Sequence, residues 1–133
     1  DDEEMIKAQQ EQMELLYDFN ATRPSQMTQR NEIARQLLGE FGEDAYIEPP
    51  LHANWGCNTY FSAHAYANFN LTLVDDGEVR IGEHTMIGPN CVLATANHPV
   101  LPELREKAST RCHKPGVPPA NQTFRYKKGR CRL

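Results

Sequence analysis

The sequence predicts an all-β solenoid: a short parallel β-helix that follows two N-terminal α-helices and precedes an irregular C-terminal tail. Three observations support this: a six-residue hydrophobic repeat from Leu51 to His98, a helical pattern before it, and the loss of the repeat and of every acidic residue after Ala108. The predicted segments are a helical segment (1–48), the repeat (49–98), a protruding loop (99–107) and the basic tail (108–133).

The segment before the repeat is expected to form two helices. Residues from about 3 to 19 carry an apolar stripe at helical spacing and contain neither Gly nor Pro. After a break, Ser25 is a suitable N-cap for a second helix that extends to about Phe41. Pro49-Pro50 stops any helix and begins the repeat.

The repeat has a period of six residues, which neither an α-helix nor a flat β-strand produces. Two columns of positions keep this spacing for eight turns, and thirteen of their sixteen residues are apolar. The opening column is Leu51, Cys57, Ala63, Phe69, Asp75, Ile81, Ile87 and Leu93, and the second column is Trp55, Phe61, Ala67, Leu73, Val79, Thr85, Cys91 and Asn97. In a parallel β-helix, each short strand directs such a pair into the core. Cys57 and Cys91 are therefore expected as packed free thiols rather than as a disulfide or zinc ligands. Asp75, also in an inward column, is either a strained core residue or a device that presents Asp76, and the sequence leaves both open.

The charge distribution divides the chain. Residues 1–107 carry 7 basic and 18 acidic side chains, whereas residues 108–133 carry 7 basic and none acidic. The basic tail, with Tyr126, raises RNA or phosphate binding as an alternative, but the acidic remainder favours no nucleic-acid partner. No apolar run reaches the roughly 20 residues that a membrane span needs, and the N-terminus is acidic, so we expect a cytoplasmic protein without a membrane partner.

Several motifs resemble the galactoside and maltose O-acetyltransferases. They are Tyr17-Asp-Phe-Asn20, Tyr66-Ala-Asn-Phe-Asn-Leu-Thr-Leu-Val-Asp-Asp76, Ile81-Gly-x-x-x-Met-Ile-Gly-Pro-Asn90, and Asn97-His-Pro-Val100 with Glu103-Leu-Arg105. The resemblance covers about residues 3–107. It implies a left-handed β-helix of hexapeptide repeats with a protruding loop, a homotrimer, and transfer of an acetyl group from acetyl-CoA, as cosubstrate, to a hydroxyl of a galactoside- or maltose-type sugar. From the residues themselves we expect no metal, since no Cys-x-x-Cys pair exists.

The resemblance also assigns site residues. His98 matches the family's general base, and a neutral imidazole suits the removal of a proton from the attacking hydroxyl. Asp76, Asn68 and Tyr66 match positions that face the acceptor sugar, and Asn54 stands where the family usually has Ser or Asp. Carboxylate and amide groups suit sugar hydroxyls, which donate and accept hydrogen bonds. We expect direct attack without an acetyl-enzyme, and the CoA-binding residues remain unassigned.

A coil of three hexads, as the resemblance implies, places Asp76 and His98 on one face, one coil apart. Four residues of lateral offset at roughly 3.3 Å each separate them by about 13 Å. Asn68 falls on another face. A shared sugar site is then easiest to build if a neighbouring chain supplies part of it, which predicts an oligomer.

The family continues after the loop with further coils, and none is found after Ala108. This predicts a truncated or out-of-frame C-terminus, and it leaves a second function open: an inactive remnant that binds sugar weakly or associates with a full-length relative. A three-histidine metal site of the carbonic-anhydrase kind is a third alternative. It is disfavoured because His64 and His84 take different places in their hexads and His52 lies on another face.

Overall fold

The fold combines two N-terminal helices with three stacked parallel sheets, which confirms the predicted order of elements. The computed structural model describes residues 2–96, 100–103 and 124–126. The helices are α1, Asp2–Ala21, and α2, Met27–Leu37. The strands are β1 Glu40–Phe41, β2 Tyr46–Ile47, β3 Leu51–Ala53, β4 Thr59–Phe61, β5 Tyr66–Ala67, β6 Leu71–Val74, β7 Val79–Ile81, β8 Met86–Ile87, β9 Val92–Ala94 and β10 Phe124–Tyr126.

The chain passes through the three sheets in turn. The sheets have the strand orders β1-β4-β7-β10, β2-β5-β8 and β3-β6-β9, and all pairings are parallel. We call one passage through the three sheets a circuit. Paired residues of successive circuits differ by 20 in number, since Glu40 pairs with Tyr60 and Tyr60 pairs with Arg80. The predicted coil of three hexads is too short by two residues and is therefore wrong.

The two additional residues of each circuit lie at one corner. Corresponding positions advance by six residues from Phe41 to Ile47 and on to Ala53, but by eight to Phe61. The long step recurs between β6 and β7 and contains Asp75 and Asp76. Within the described residues, the hexads therefore do not form an unbroken series.

The core shows which predicted column was right. Members of the second column are buried through the second circuit and into the third, with Phe61, Ala67, Leu73 and Val79 at most 1% exposed, whereas Cys91 is only half-buried. The opening column is less consistent, because Cys57 and Ala63 are only half-buried and Phe69 is 44% exposed. In the second circuit Thr59, Ala65 and Leu71 take the inward positions instead.

The first helix agrees with its prediction, whereas the second is shorter. It begins after Gln26, not Ser25, and ends at Leu37 rather than near Phe41. The backbone beyond it pairs with β4, since the Gly39 N–H donates to the Thr59 carbonyl at 2.9 Å and the Gly42 N–H to the Phe61 carbonyl at 2.7 Å. Strand pairing thus starts at β1, well before the predicted boundary at residue 49.

Side chains of the helical segment close the exposed end of the sheets. The Asn20 amide donates to the Leu51 carbonyl and accepts from the Leu51 N–H, both at 2.8 Å, as a neighbouring strand would. Arg30, only 3% exposed, donates to the backbone carbonyls of Thr22 and Arg23, just after α1. The helices therefore cover the edge of the first circuit, which would otherwise expose unpaired strand groups.

The segment predicted to be an irregular tail contains one short strand. In β10, Phe124 pairs with Val79 and Tyr126 with Ile81, which adds a fourth strand to the first sheet. The rest of 108–133 and most of the predicted loop lie outside the described residues. Among the helices that the structure describes, none is long and apolar enough to cross a membrane.

Candidate functional site

Polar side chains gather where the eight-residue steps lie one above the other. We call this group, residues 54–59 and 75–78 with Thr95, the Asp76 corner. Gly56 permits the chain to turn there, because its φ is +75° and an added Cβ would lie 2.8 Å from a Leu37 methyl carbon. The corner thereby approaches the end of α2.

Asp75 is the buried anchor of the corner. Its side chain is 0% exposed, and its carboxylate accepts from the Trp55 N–H at 2.9 Å and from the Thr59 hydroxyl at 3.2 Å. Its main-chain carbonyl accepts from the Asn58 amide at 2.8 Å. Asp75 is therefore a core residue whose two carboxylate oxygens both have hydrogen-bond donors, and the interpretation that it presents Asp76 stays a prediction.

Burial governs the ionisation of this corner. Loss of solvent raises the pKa of Asp75, and the hydrogen bonds from Trp55 and Thr59 offset only part of that rise. Burial, and then the nearby Asp75 carboxylate, raise the pKa of the Cys57 thiol. Cys57 and Cys91 are both half-buried, and neither forms a disulfide within the described residues. A raised pKa removes thiolate character, so Cys57 is poorly suited to nucleophilic attack.

The Asp76 carboxylate is held through one of its two oxygens. Its Oδ1 accepts from the Trp55 indole N–H at 3.1 Å and faces the Asn54 amide nitrogen at 3.4 Å. Within the described residues no protein group donates to Oδ2, and the side chain is half-buried. The carboxylate therefore keeps one oxygen available to a hydroxyl donor.

The third circuit closes the corner. The Thr95 hydroxyl accepts from the Gly77 N–H at 2.7 Å and contacts the Val74 carbonyl at 3.1 Å. Thr95 is 8% exposed, so these bonds are shielded from water. Sequence reasoning missed Thr95 and the role of Trp55. A buried tryptophan needs a partner for its indole N–H, and that requirement was the available signal.

The structure brings Asn54 and Asp76 together and places the other predicted acceptor residues elsewhere. Tyr66 lies on β5 in the neighbouring sheet, where its ring stacks on Tyr46 at 5.8 Å between centroids. Asn68 follows that strand, and its side-chain oxygen accepts from the Phe69 N–H at 2.8 Å. The prediction that Asn68 lies on a different face from Asp76 agrees with this arrangement.

His98 lies outside the described residues, and the spacing predicted for it depended on the shorter coil. In the observed register the counterpart of Val74 is Ala94, so the circuit spans 20 residues here too. The coil length on which that lateral offset depended is wrong, and the separation between Asp76 and His98 stays a prediction.

Two histidines were also misplaced by the six-residue frame. His64 and His84 occupy the same position in successive circuits, with ring centroids 4.8 Å apart, and His64 Nδ1 lies 3.7 Å from the Asp44 carboxylate. Even so, the part of the chain that the structure describes contains no group of three or more His, Cys, Asp or Glu residues suited to a metal ion.

Comparison with known proteins adds sequence relatives. Residues 1–42 match the maltose acetyltransferase hexapeptide capping motif. The chain is 45% identical over 109 residues to a galactoside O-acetyltransferase of Lactococcus lactis subsp. lactis (strain IL1403), which covers 81% of this chain and 53% of the relative. It is 41% identical over 92 residues to the galactoside O-acetyltransferase of Escherichia coli (strain K12), covering 69% of this chain and 45% of the relative.

Solved structures of acetyltransferases are also similar to this chain. A galactoside acetyltransferase in complex with coenzyme A superposes with a TM-score of 0.71 and 36% identity, over 77% of this chain and 52% of the other. A maltose O-acetyltransferase from Clostridium difficile 630 superposes with a TM-score of 0.74 and 28% identity, over 77% and 55%. The chain thus spans about half the length of the curated relatives it matches.

Proposed function

We propose that this chain, which belongs to the galactoside and maltose O-acetyltransferase family, binds the acceptor sugar of an acetyl-CoA-dependent O-acetyl transfer at the Asp76 corner. The observation that carries the proposal is the half-buried Asp76 carboxylate, with Oδ1 held by Trp55 at 3.1 Å and Oδ2 without a donor among the residues that the structure describes. Such a carboxylate accepts a hydrogen bond from a sugar hydroxyl and orients the ring.

In the proposed reaction, the acceptor hydroxyl oxygen attacks the thioester carbonyl carbon of acetyl-CoA directly. His98 takes the hydroxyl proton, the carbon–sulfur bond breaks, and the proton passes on to the departing CoA thiolate. The role of His98 is carried over from the family through the segment Asn97-His-Pro-Val100. The raised pKa of the Cys57 thiol supports direct attack over an acetyl-cysteine intermediate.

We also propose that the three sheets form the left-handed β-helix of the family and that three chains assemble. Exposed apolar side chains support the assembly, since Met86 on β8 is 78% exposed, Val92 on β9 is 61% exposed and Phe69 between β5 and β6 is 44% exposed. Tyr66 and Asn68 lie away from the corner that holds Asp76. A neighbouring copy can therefore complete one sugar site with residues that a single chain keeps apart.

The test is acetyl transfer from acetyl-CoA to a panel of galactosides and glucosides, with release of free CoA thiol as the readout. We expect turnover that requires both substrates. His98→Ala should reduce kcat on the order of a hundredfold or more, the contribution of a lost general base. His52→Ala, a matched change of an exposed histidine on β3, should leave turnover unchanged.

Two results would contradict parts of the proposal. Turnover retained in His98→Ala would remove His98 from the role of base. A folded chain that binds a galactoside but releases no thiol from acetyl-CoA would contradict the proposed catalysis and support a sugar-binding role without chemistry.

A further inference from the structure

We propose that Trp55 is a positioning residue for acceptor binding, which fixes the Asp76 carboxylate so that Oδ1 stays inside the corner and Oδ2 faces the sugar. The inference rests on the proposed acceptor role of this corner. It deepens that role by naming the group that determines which carboxylate oxygen the sugar meets.

One residue contacts two consecutive carboxylates. The Trp55 main-chain N–H donates to Asp75 Oδ1 at 2.9 Å, and its indole N–H donates to Asp76 Oδ1 at 3.1 Å. Because Asp75 is 0% exposed and Trp55 only 7% exposed, both groups are fixed by packing. A rotation of the Asp76 carboxylate would therefore break the bond to an indole that has little room to follow.

The helical segment supports Trp55 from the other side. In the amide orientation assigned from hydrogen bonding, Gln12 of α1 donates to the Trp55 carbonyl at 3.1 Å and to the Leu37 carbonyl at 3.2 Å. The backbone of Trp55 is thus held through both its N–H and its carbonyl. This connects α1 and the end of α2 to the residue that orients Asp76.

The two oxygens of the Asp76 carboxylate differ in how many hydrogen bonds they can still accept. A carboxylate offers about four lone-pair sites on two oxygens. Two side-chain donors, from Trp55 and Asn54, point at Oδ1. A sugar hydroxyl that donates to the carboxylate therefore meets Oδ2, and the direction of that oxygen selects which hydroxyl fits. Without the indole, both orientations of the carboxylate become available and the selection weakens.

The hydrogen bond can be tested without sugar, because Trp55 is the sole tryptophan of the chain. A ¹H–¹⁵N spectrum of the full chain contains one indole signal. We expect Asp76→Ala to move this signal upfield, as loss of an acceptor does, and Asp18→Ala, a matched change of an exposed aspartate on α1, to leave it in place. Equal spectra for the two variants would overturn the proposal.

The consequence for binding is tested with methyl β-D-galactopyranoside and, separately, with acetyl-CoA, by calorimetric titration. Trp55→Phe removes the indole donor, and we expect sugar affinity to fall roughly tenfold or more, the factor that about 1.4 kcal/mol represents. Affinity for acetyl-CoA should not change. If Trp55→Phe does not fold, biosynthetic replacement of the sole tryptophan by benzothienylalanine removes the N–H at almost constant shape and provides the same comparison.

The outcomes distinguish this inference from the proposed function. Sugar binding that weakens with loss of the indole N–H supports the inference. Sugar binding that is equal in the wild type and in the variants overturns the positioning role and leaves the proposed function intact. If Asp76→Ala moves the indole signal but the wild-type chain binds no sugar, the proposed acceptor site is overturned, and so is the positioning role of Trp55 for a sugar.

Discussion

Replacement of Asp75 tests the interpretation of the corner most directly. In Asp75→Ala, the Trp55 N–H and the Thr59 hydroxyl lose their acceptor inside the protein. A buried polar group left without a partner costs roughly 1 to 3 kcal/mol, so the two together should lower the free energy of unfolding by roughly 2 to 6 kcal/mol. Asp75→Asn keeps one oxygen as an acceptor and almost the same shape, and should cost much less.

The raised pKa of Asp75 also predicts how the free energy of unfolding of the wild type changes with pH relative to that of Asp75→Asn. Burial raises the pKa of Asp75 above its ordinary value of 3.8. Between that value and the raised one, the folded chain binds more protons than the unfolded chain, so the free energy of unfolding falls as pH rises. The stabilisation is complete below pH 3.8 and is lost as pH rises through the raised pKa, with a slope of at most about 1.36 kcal/mol per pH unit.

The assay is urea unfolding at a series of pH values from acid to neutral, followed by Trp55 fluorescence and far-ultraviolet circular dichroism. Asparagine does not titrate, so the difference in unfolding free energy between wild type and Asp75→Asn isolates the contribution of this carboxyl. We expect the wild type to lose stability relative to the variant as pH rises. A difference that is flat, or that grows with pH, would refute the argument that burial dominates at Asp75. Asp18→Asn, the same replacement at an exposed site on α1, is the matched control.

Two further predictions concern the fold. Asn20→Ala removes both hydrogen bonds to the backbone of Leu51, which is 0% exposed, and should lower the free energy of unfolding by roughly 2 kcal/mol or more, measured by urea titration. Phe61→Ala leaves a cavity at a residue that is 0% exposed and should cost roughly 3 to 5 kcal/mol in the same measurement, whereas Phe69→Ala, at a residue 44% exposed, should cost far less.

The sequence predicted one inward column correctly and its partner only in part, for a reason that the register explains. The partner of Phe61 in the core is Thr59, two residues before it, whereas the partner of Val79 is Ile81, two residues after it. The eight-residue step shifts the frame by two residues, which is one full period of a β-strand. The column that contains Phe61 and Val79 therefore stays inward through the step. The second inward residue of each strand lies before this column in one circuit and after it in the next. A six-residue search follows the constant column and does not detect the shift.

The true period is nevertheless present in the sequence. Three segments match position by position and begin at paired strands of successive circuits: Phe41-Gly-Glu-Asp-Ala-Tyr-Ile47, Phe61-Ser-Ala-His-Ala-Tyr-Ala67 and Ile81-Gly-Glu-His-Thr-Met-Ile87. Each carries a residue with positive φ at its fourth place, Asp44 at 53°, His64 at 58° and His84 at 55°. Comparison of whole segments would have found the circuit length, and with it the shared position of the two histidines. The contact between Asn54 and Asp76 depends on that length, so a coil of three hexads could not predict it.

The position of the candidate site follows from where the repeat is interrupted. At one regular corner, equivalent side chains stack on one another, as His64 and His84 do. At another, the Asn70 amide donates to the Asn90 side chain at 3.0 Å, so these groups satisfy each other. The eight-residue corner differs because its two additional residues let the chain bury one carboxylate, that of Asp75, and direct the next outward. A regular stack directs its polar groups to its own neighbouring circuits, whereas this interruption leaves Asp76 Oδ2 without such a partner among the described residues. In a repeat fold of this kind, irregular steps that place polar groups next to each other are therefore a better guide to a binding site than the repeating positions themselves.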